Sequence, residues 1–388
     1  MKKSLIALAV MAAAGAASAQ SSVTLFGIVD ATLAWGRGNG TGSTDKFQLT
    51  NSGYNSSRLG FRGTEDLGGG MSASFWLEAG VNNDNGTGAA TNTNNQVSGG
   101  AAAGQNGSQG LTFNRRSTVS LAGNWGEMRL GRDYTPAFWN LTVFDPFGTN
   151  GVGTSLTLNG VGLGFNPLTA AVGSVAIPSL FYPTQVRASN SIGYFLPRNL
   201  GGFYGQAQYY SGETASNTPR DGKGYGARLG YAAGPFNVAV GYGRTNLTVA
   251  AGAPAVLTSG NVRTWNIGGQ WDFGVAKLLG QYSNDRLSLG GGEGTGKSWL
   301  LGALVPVGAG EIRASYSEYR LSSNLFGPDP RTQKFALGYV HNLSKRTALY
   351  TTYAYAKNRD GANSGLNGAT TAANESSSGL DLGIRHSF

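Results

Sequence analysis

The chain has 388 residues, 63 of them glycine, with 29 lysines and arginines against 20 acidic residues and a formal net charge of +9. Only 13% of the residues are charged, about half the share usual in soluble domains, and the absence of cysteine excludes disulfide frameworks, thiolate metal sites and a cysteine nucleophile. The basic residues are dispersed along the chain rather than clustered, so we expect no nucleic-acid partner.

The chain begins with a predicted export signal. Two lysines near the start precede an apolar stretch at residues 5–17, and Ala17-Ser18-Ala19 has the small-x-small pattern that signal peptidase cleaves. The apolar run is shorter than the roughly 20 residues that a membrane-spanning helix needs. We therefore predict a signal peptide at residues 1–19 and a mature chain at residues 20–388.

Alternation of apolar and polar residues with a period of two runs through almost the whole mature chain. In the first segment, Val23, Leu25 and Val29 share one parity, whereas Thr24 and Asp30 share the other. This pattern predicts a nearly all-β protein, with no convincing helical repeat. The predicted strands are residues 22–35, 57–66, 71–80, 112–121, 127–133, 185–197, 202–212, 223–233, 236–248, 261–273, 275–287, 297–306, 310–321, 332–342, 346–357 and 378–388. About sixteen strands is an even number that leaves an open lumen.

A soluble sandwich also alternates, so the choice of a transmembrane antiparallel β-barrel depends on three further features. The predicted strands are about ten residues long, and short and long connections alternate between them. The long connections, notably residues 82–110 and 359–377, are polar and rich in glycine, which suits an aqueous rim. Tryptophan and tyrosine recur near strand ends, as in the aromatic girdles of membrane barrels.

The end of the chain carries the most specific local signal. Leu382, Ile384 and Phe388 lie on one parity of the last predicted strand, and the chain stops on the phenylalanine. This pattern looks like the assembly signal of outer-membrane barrels. It therefore indicates the outer membrane as the location.

Five motifs resemble the general diffusion porins of Gram-negative bacteria, especially the betaproteobacterial branch. They are Ser22-Val-Thr-Leu-Phe-Gly-Ile-Val-Asp30, Arg58-Leu-Gly-Phe-Arg-Gly-Thr-Glu-Asp-Leu-Gly68, Leu130-Gly-Arg132, Arg187-Ala-Ser-Asn-Ser-Ile-Gly-Tyr194 and Gly383-Ile-Arg-His-Ser-Phe388. The resemblance implies a homotrimer of sixteen-stranded barrels, each with a pore narrowed by a long third loop that folds into the lumen. It also implies outer-membrane lipid, lipopolysaccharide and the barrel assembly machinery as partners, and no cofactor.

The resemblance further implies a ladder of arginines on the barrel wall opposite acidic groups on the inward loop. The matching wall positions are Arg58, Arg62, Arg132 and Arg187, joined by Arg115 or Arg116, between which the parity does not decide. Rim arginines that bind lipopolysaccharide phosphates, or are simply solvated, are the alternative for any one of them.

The predicted inward loop spans residues 133–186 and contains Asp133 and Asp145 but no glutamate, lysine or arginine. Four or five wall arginines against one or two aspartates predict a positive constriction, and rings of arginine favour anions. The apolar stretch at residues 156–177 fits either the lumen or a subunit interface.

Enzymatic readings have little support in the sequence. Residues 291–298 match the P-loop pattern G-x-x-x-x-G-K-[ST], but the residues that follow read as a strand rather than a helix, so we expect a chance match in an exterior loop. The two histidines, His341 and His386, lie near strand ends on the apolar parity, which leaves few components for a catalytic triad or a metal site. A passive general channel for small hydrophilic solutes is the leading hypothesis, ahead of a solute-specific channel and of a surface barrel acting as an adhesin.

Overall fold

The computed structural model describes residues 22–96, 110–155, 183–214, 218–251, 256–324 and 329–388. The predicted signal peptide and the apolar stretch at residues 156–177 lie outside these described residues. The described part contains the strands β1 (Ser22–Gly38), β2 (Lys46–Asn51), β3 (Arg58–Gly68), β4 (Met71–Asn82), β5 (Thr87–Gly88), β6 (Arg116–Gly123), β7 (Gly126–Tyr134), β8 (Arg187–Phe195), β9 (Phe203–Tyr210), β10 (Gly224–Ala233), β11 (Phe236–Ala251), β12 (Val256–Asp272), β13 (Lys277–Leu289), β14 (Gly292–Val307), β15 (Gly310–Ser323), β16 (Arg331–Asn342), β17 (Thr347–Arg359) and β18 (Ser376–Ser387), and the helix α1 (Pro136–Val143).

The strands form one closed antiparallel sheet. Successive wall strands pair with each other, and the sheet closes where β1 pairs with β18, from Ile28 opposite Ser387 to Gly38 opposite Ser377. β2 and β3 lie end to end along β1, and the two-residue β5 pairs only with β4. The wall therefore has sixteen strands, which confirms the predicted all-β barrel.

Side chains along each strand alternate between the outer and the inner face of the barrel. On β1, Leu25 and Leu33 point outward and are 55% and 46% exposed, whereas Asp30 and Thr32 point inward and are buried. An apolar outer face and a polar inner face are what a barrel in lipid requires. Among the described residues, no helix is long and apolar enough to cross a membrane.

The prediction of an exterior loop between the strands at residues 275–287 and 297–306 is wrong. Only Gly290 and Gly291 separate β13 from β14, and both have positive φ, as a two-residue hairpin turn needs. Most of the residues that match the P-loop pattern therefore belong to β14. Its glycines made the segment look like a loop, but Gly296 faces inward, where a side chain would overlap the hydroxyl of Tyr319.

Three elements were not predicted, and β6 begins four residues later than predicted. α1, β2 and β5 fall in segments that were predicted as loops, and β6 begins at Arg116 rather than at residue 112. α1 is only eight residues long and follows the extended N-cap residue Thr135, with a proline in its first turn. A helix this short has too few turns for an apolar repeat to stand out in the sequence.

The terminal Phe388 closes the seam of the barrel. Its backbone N–H donates to the carbonyl of Gly27 at 3.1 Å, and its carbonyl accepts from the N–H of Gly27 at 3.0 Å. Its ring lies over Gly27 on the outer face, where any side chain at position 27 would overlap it. Leu382 and Ile384 point outward on the same strand and are 47% and 46% exposed.

Deletion of Phe388 should lower the yield of closed barrel, because it removes both of these hydrogen bonds and the ring contact. Each bond contributes roughly 0.5–1.5 kcal/mol. The yield is measured as the heat-modifiable fraction on a gel after refolding into detergent. Phe273→Ala is the control, since Phe273 is an outward aromatic that is 58% exposed and far along the chain from the seam. Equal yields from the truncated chain and the wild type would contradict the role of Phe388 in closure.

Candidate functional site

The first half of the third loop lies inside the barrel. α1 packs against the inner faces of β10, β11 and β12. Two hydrogen bonds hold it there: Asn140 Nδ2 donates to the carbonyl of Ala239 and Asn266 Nδ2 donates to the carbonyl of Ala137, each at 3.0 Å. The loop thus narrows the lumen from one side.

Inward-facing glycines form the surface on which this loop rests. A Cβ atom at Gly268 would overlap the ring of Phe144, one at Gly302 would overlap Pro146, and one at Gly226 would lie 3.2 Å from Pro136. The strands that carry contacts of this kind, with their glycines, are β10 (Gly226), β11 (Gly241), β12 (Gly268), β14 (Gly302), β16 (Gly338) and β18 (Gly379). We call this set the glycine track. The absence of side chains along it leaves room for the loop.

Charged groups of the wall fasten the far end of the described loop. The N–H of Val152 donates to Asp381 Oδ2 at 2.8 Å, and Lys334 Nζ donates to the carbonyl of Val152 at 3.0 Å. Both polar groups of the Val152 backbone therefore have a charged partner, and Lys334 and Asp381 are themselves buried. Such charge-assisted hydrogen bonds are stronger than neutral ones.

Asp145 is on the loop, but its carboxylate does not face the passage as predicted. The side chain is buried, and it accepts from the N–H groups of Phe147 at 2.8 Å and Ser155 at 2.9 Å. Burial raises the pKa of the Asp145 carboxyl above its ordinary value, and these hydrogen bonds counteract the rise. The carboxylate shapes the tip of the loop.

The wall opposite the loop carries a carboxylate that the sequence analysis missed. One carboxylate oxygen of Glu78, on β4, lies 2.5 Å from Arg115 Nε and 3.4 Å from Arg58 Nη1 and forms ion pairs with both. Trp76 Nε1 donates to its other oxygen at 3.1 Å. Glu78 shares the inward parity of β4 with Trp76, so alternation along this strand was the available signal.

Arg62 and Arg116 both lie over the ring of the same tryptophan, Trp76. The centroid of the Trp76 ring lies 5.1 Å from Cζ of Arg62 and 4.6 Å from Cζ of Arg116. Arg62 is exposed to the lumen and also lies 5.2 Å from the ring of Phe26. Cation–π contact holds guanidinium groups against a ring while their N–H groups stay available to solutes.

Arg187 and Arg115 converge on Tyr134 at the start of the third loop. Each donates to the Tyr134 hydroxyl at 3.0 Å, and Arg187 Nε donates to the carbonyl of Arg115 at 2.9 Å. Both Arg115 and Arg116 therefore lie on the inner side. The sequence analysis expected only one of the two at the wall and did not decide which.

Arg132 has a different role from the predicted one. It donates to the carbonyls of Asn114 at 2.5 Å and Asn92 at 3.0 Å, and to the hydroxyl of Ser189 at 2.7 Å. These partners belong to the second long loop and the start of β8. Arg132 thus anchors a loop, because β7 shifts its register between Gly131 and Asp133 and breaks the alternation just there.

Asp133 lies at the end of β7 and not on the inward loop. Its Oδ2 is 2.5 Å from Arg129 Nη1 and 3.8 Å from Arg116 Nε, and Arg129 also pairs with Glu127 at 2.9 Å. Arg129 and Glu127 were not predicted as site residues. Asp133 and Glu127 therefore compensate much of the positive charge of Arg116 and Arg129.

Further arginines that the sequence analysis missed line the remaining wall. Arg228 on β10 donates to Asn140 Oδ1 of α1 and lies 4.8 Å from the ring of Tyr204. Arg313 and Arg385 flank the ring of Tyr54, at 4.4 and 5.1 Å from its centroid. Arg228 and Arg313 lie on strands outside the quoted motifs, whereas Arg385 lies within the last of these motifs. All three have the inward parity.

The arginines of the described residues outnumber their acidic partners at this inner wall. The arginines are Arg58, Arg62, Arg115, Arg116, Arg129, Arg187, Arg228, Arg313 and Arg385. The carboxylates in ion pairs with them are Glu78, Glu127, Asp133 and Glu311. Asp30 is a fifth inward carboxylate, and it accepts the N–H groups of Tyr54 and Asn55 and the hydroxyl of Tyr350. These nine arginines therefore outnumber the five carboxylates.

Addition of one methyl group at Gly268 should displace the third loop, because the methyl overlaps the ring of Phe144. Overpacking of this kind costs roughly 1–3 kcal/mol, so we expect backbone amides of residues 144–155 in Gly268→Ala to exchange hydrogen about 5- to 100-fold faster. The neighbouring Gly269→Ala is the matched control, since its methyl points to the outer face with nothing nearer than 3.4 Å. Equal exchange in the two variants would contradict the seating of the loop.

Comparison with known proteins places these features in context. The sequence profile of a family described as Gram-negative porin matches residues 5–361. Outer membrane porin protein 32 of Delftia acidovorans is 39% identical over 398 residues, covering all of both chains. An outer membrane porin protein of Bordetella pertussis is 28% identical over 436 residues, again covering all of both chains.

Solved structures give the same comparison for the fold. An anion-selective porin from Comamonas acidovorans is 37% identical, with a TM-score of 0.74 over 95% of this chain and 100% of that one. The trimer form of the outer-membrane protein OmpT of Vibrio cholerae superposes with a TM-score of 0.63 over 95% of this chain and 99% of that one. At 13% identity, the latter likeness concerns the fold alone.

Proposed function

Because this chain belongs to the Gram-negative porin family, we propose that its arginine-lined lumen makes it a general diffusion channel that favours anions. The protein is an outer-membrane barrel, and its solutes are small and hydrophilic. Four arginines of the lumen have no carboxylate partner in the described part of the chain: Arg62, Arg187, Arg228 and Arg385. This excess of unpaired arginine carries the proposal.

Short-range electrostatics makes these arginines decisive. At 0.15 M salt the Debye length is about 8 Å, so charges on the wall of a narrow passage act on a passing ion while charges on the distant rim are largely screened. Arginine also remains charged at any physiological pH. The similarity to a porin that is described as anion-selective supports the same preference here.

The stacked arrangement of the arginines suits passive diffusion. Arg62 and Arg116 lie on Trp76, Arg129 lies 4.0 Å from the ring of Phe195, and Arg228 lies on Tyr204. Stacking keeps these side chains at the wall and limits how far they extend into the passage. A solute would thus meet several weak sites in succession, from which it can leave as easily as it enters.

Several further properties belong to this proposal. Residues 1–19 form a cleaved signal peptide, the mature protein is a homotrimer, and the last strand with Leu382, Ile384 and Phe388 is recognised by the barrel assembly machinery. Lipopolysaccharide and outer-membrane lipid surround the trimer. We propose no enzymatic activity, because the family points to a channel, and we place a solute-specific channel and an adhesin behind the general porin.

Removal of two unpaired lumenal charges should weaken the anion preference. The variant Arg62→Gln with Arg228→Gln is expected to lower the anion-to-cation permeability ratio by about threefold or more, as Coulomb's law gives for unit charges several ångströms away in water. The ratio follows from the reversal potential across a salt gradient in a planar bilayer. Arg263→Gln with Arg359→Gln removes the same charge from exposed positions on the outer face. A wild type that prefers cations, or an inner variant no different from the outer one, would sink the proposal.

The trimer is tested by electrophoresis in sodium dodecyl sulfate. Unheated protein from gentle detergent extracts should migrate as a trimer and fall to a monomer on heating, because a copy of the chain would cover the apolar outer face of β1 and β2. Phe47 and Leu49 on that face are 71% and 54% exposed. Monomeric migration of the unheated sample would count against the trimer.

A further inference from the structure

A recess opens from the lumen at the end of the barrel that carries the chain termini. It has a volume of about 830 Å³ and lies between α1 and the inner wall of β6 to β10. The turn at residues 124–125 and the connection at residues 196–202 form its rim. Short turns of a membrane barrel lie on the periplasmic side, so we call this cavity the periplasmic recess. Its size is in the range of pockets that hold small organic molecules.

Guanidinium groups dominate the charge of the periplasmic recess. Arg116, Arg129, Arg198 and Arg228 line it, and Glu127 is the one acidic residue among the described residues that do so. Glu127 is already paired with Arg129, at 2.9 Å. Arg198 and Arg228 have no carboxylate partner in the described part of the chain. The recess therefore favours an anion over a cation.

Trp139 of α1 supplies a hydrogen-bond donor that the described residues leave unused. Its side chain lines the recess, and its indole Nε1 is buried without a hydrogen-bond partner among the described residues. The next residue along the helix, Asn140, accepts from Arg228 Nε through its Oδ1. The indole and a guanidinium group are thus held beside the same turn of α1. Since buried donors in native proteins are paired in the great majority of cases, an acceptor on a bound molecule would complete this site.

Apolar groups cover much of the remaining surface of the recess. They are Phe195, Leu196, Pro197 and Tyr204. Arg129 lies 4.0 Å from the ring centroid of Phe195, and Arg228 lies 4.8 Å from that of Tyr204. A small inorganic anion gains nothing from such a surface, whereas an aromatic ring bound there is removed from water and packs against other rings.

We propose that the periplasmic recess binds planar aromatic carboxylates of the benzoate and naphthoate type. The ring packs against Phe195 and Tyr204, and the carboxylate accepts from the indole N–H of Trp139. Arg228 supplies the positive charge beside it, and hydrogen bonds between charged groups are the stronger ones. This inference rests on the proposed function, because solutes reach the recess through the lumen, and it names a class of solute that the channel retains.

Single-channel recordings in a planar bilayer test the class of ligand with 2-naphthoate as the probe. Each binding event should interrupt the current, with dwell times about 2- to 12-fold longer than those of decahydro-2-naphthoate, which has the same charge but no aromatic ring. The uncharged 2-naphthalenemethanol should cause no interruptions. Equal dwell times for the aromatic and the saturated acid would overturn the proposal.

The role of the indole N–H is tested by Trp139→Phe, which keeps a ring on α1 and removes the donor. The dwell time of 2-naphthoate should shorten about tenfold or more, as expected for loss of a hydrogen bond to a charged group. The matched control is Trp265→Phe, which makes the same change on the outer face, where Trp265 is 43% exposed. The control should keep the dwell time of the wild type. Equal dwell times in the two variants would contradict the proposed site.

The absence of cysteine from the chain allows a test that does not depend on transport. Asn199 is exposed at the rim of the recess, so a thiol reagent should label the variant Asn199→Cys in detergent. The labelling rate should halve at one concentration of 2-naphthoate and fall to about a quarter at three times that concentration, as binding to one site requires. The control variant Lys345→Cys, in the turn between β16 and β17, should react equally fast with and without the acid.

This labelling separates the inference from the proposed function, and it decides the matter even if the Trp139 variant does not assemble. An anion-selective channel whose Asn199→Cys variant is not protected by 2-naphthoate would refute the binding site and leave the channel standing. Protection of Asn199→Cys in a protein that prefers cations, or that carries no current, would do the reverse.

Discussion

A strand in hydrocarbon must satisfy every backbone N–H and C=O within the protein, because lipid offers no hydrogen-bond partners. The sheet therefore has no free edge, and the pairing of β1 with β18 completes it. Once the wall is closed, alternation along each strand decides where chemistry can occur. Apolar residues such as Leu25 and Leu33 go outward, and the polar residues go into a lumen that would otherwise be wide.

The lumen is narrowed by a loop for which the wall has made room. Glycines on six strands leave space for α1 and for Phe144, Pro146 and Val152 behind it, and Asp381 and Lys334 hold the backbone of Val152. The loop lies on one side of the lumen. Arginines line the other side, and several of them stack on aromatic rings. The inward glycines thus leave room for the loop, and the arginines line the wall opposite it.

Much of the fold could be predicted from the sequence, because a period of two is visible without tertiary information. The sixteen wall strands and the inward parity of Arg58 and Arg62 are of this kind. Contacts between distant segments could not be predicted: Glu78 joins Arg58 and Arg115 only because β3, β4 and the start of β6 are neighbours in the barrel. The register shift in β7 led to the wrong prediction for Arg132. The glycines of β14 resembled a loop because the contact of Gly296 with Tyr319 on the next strand is not visible in the sequence.

Anomalous diffraction from crystals of the trimer soaked in bromide tests the central claim most directly, since it locates anions in the lumen without reference to transport. We predict bromide peaks in the narrowed passage, within about 4 Å of the guanidinium groups of Arg62 and Arg228, where no described carboxylate competes. A parallel soak in rubidium should leave this stretch empty. Rubidium beside Glu78 or Asp133, with no bromide at either arginine, would contradict the account.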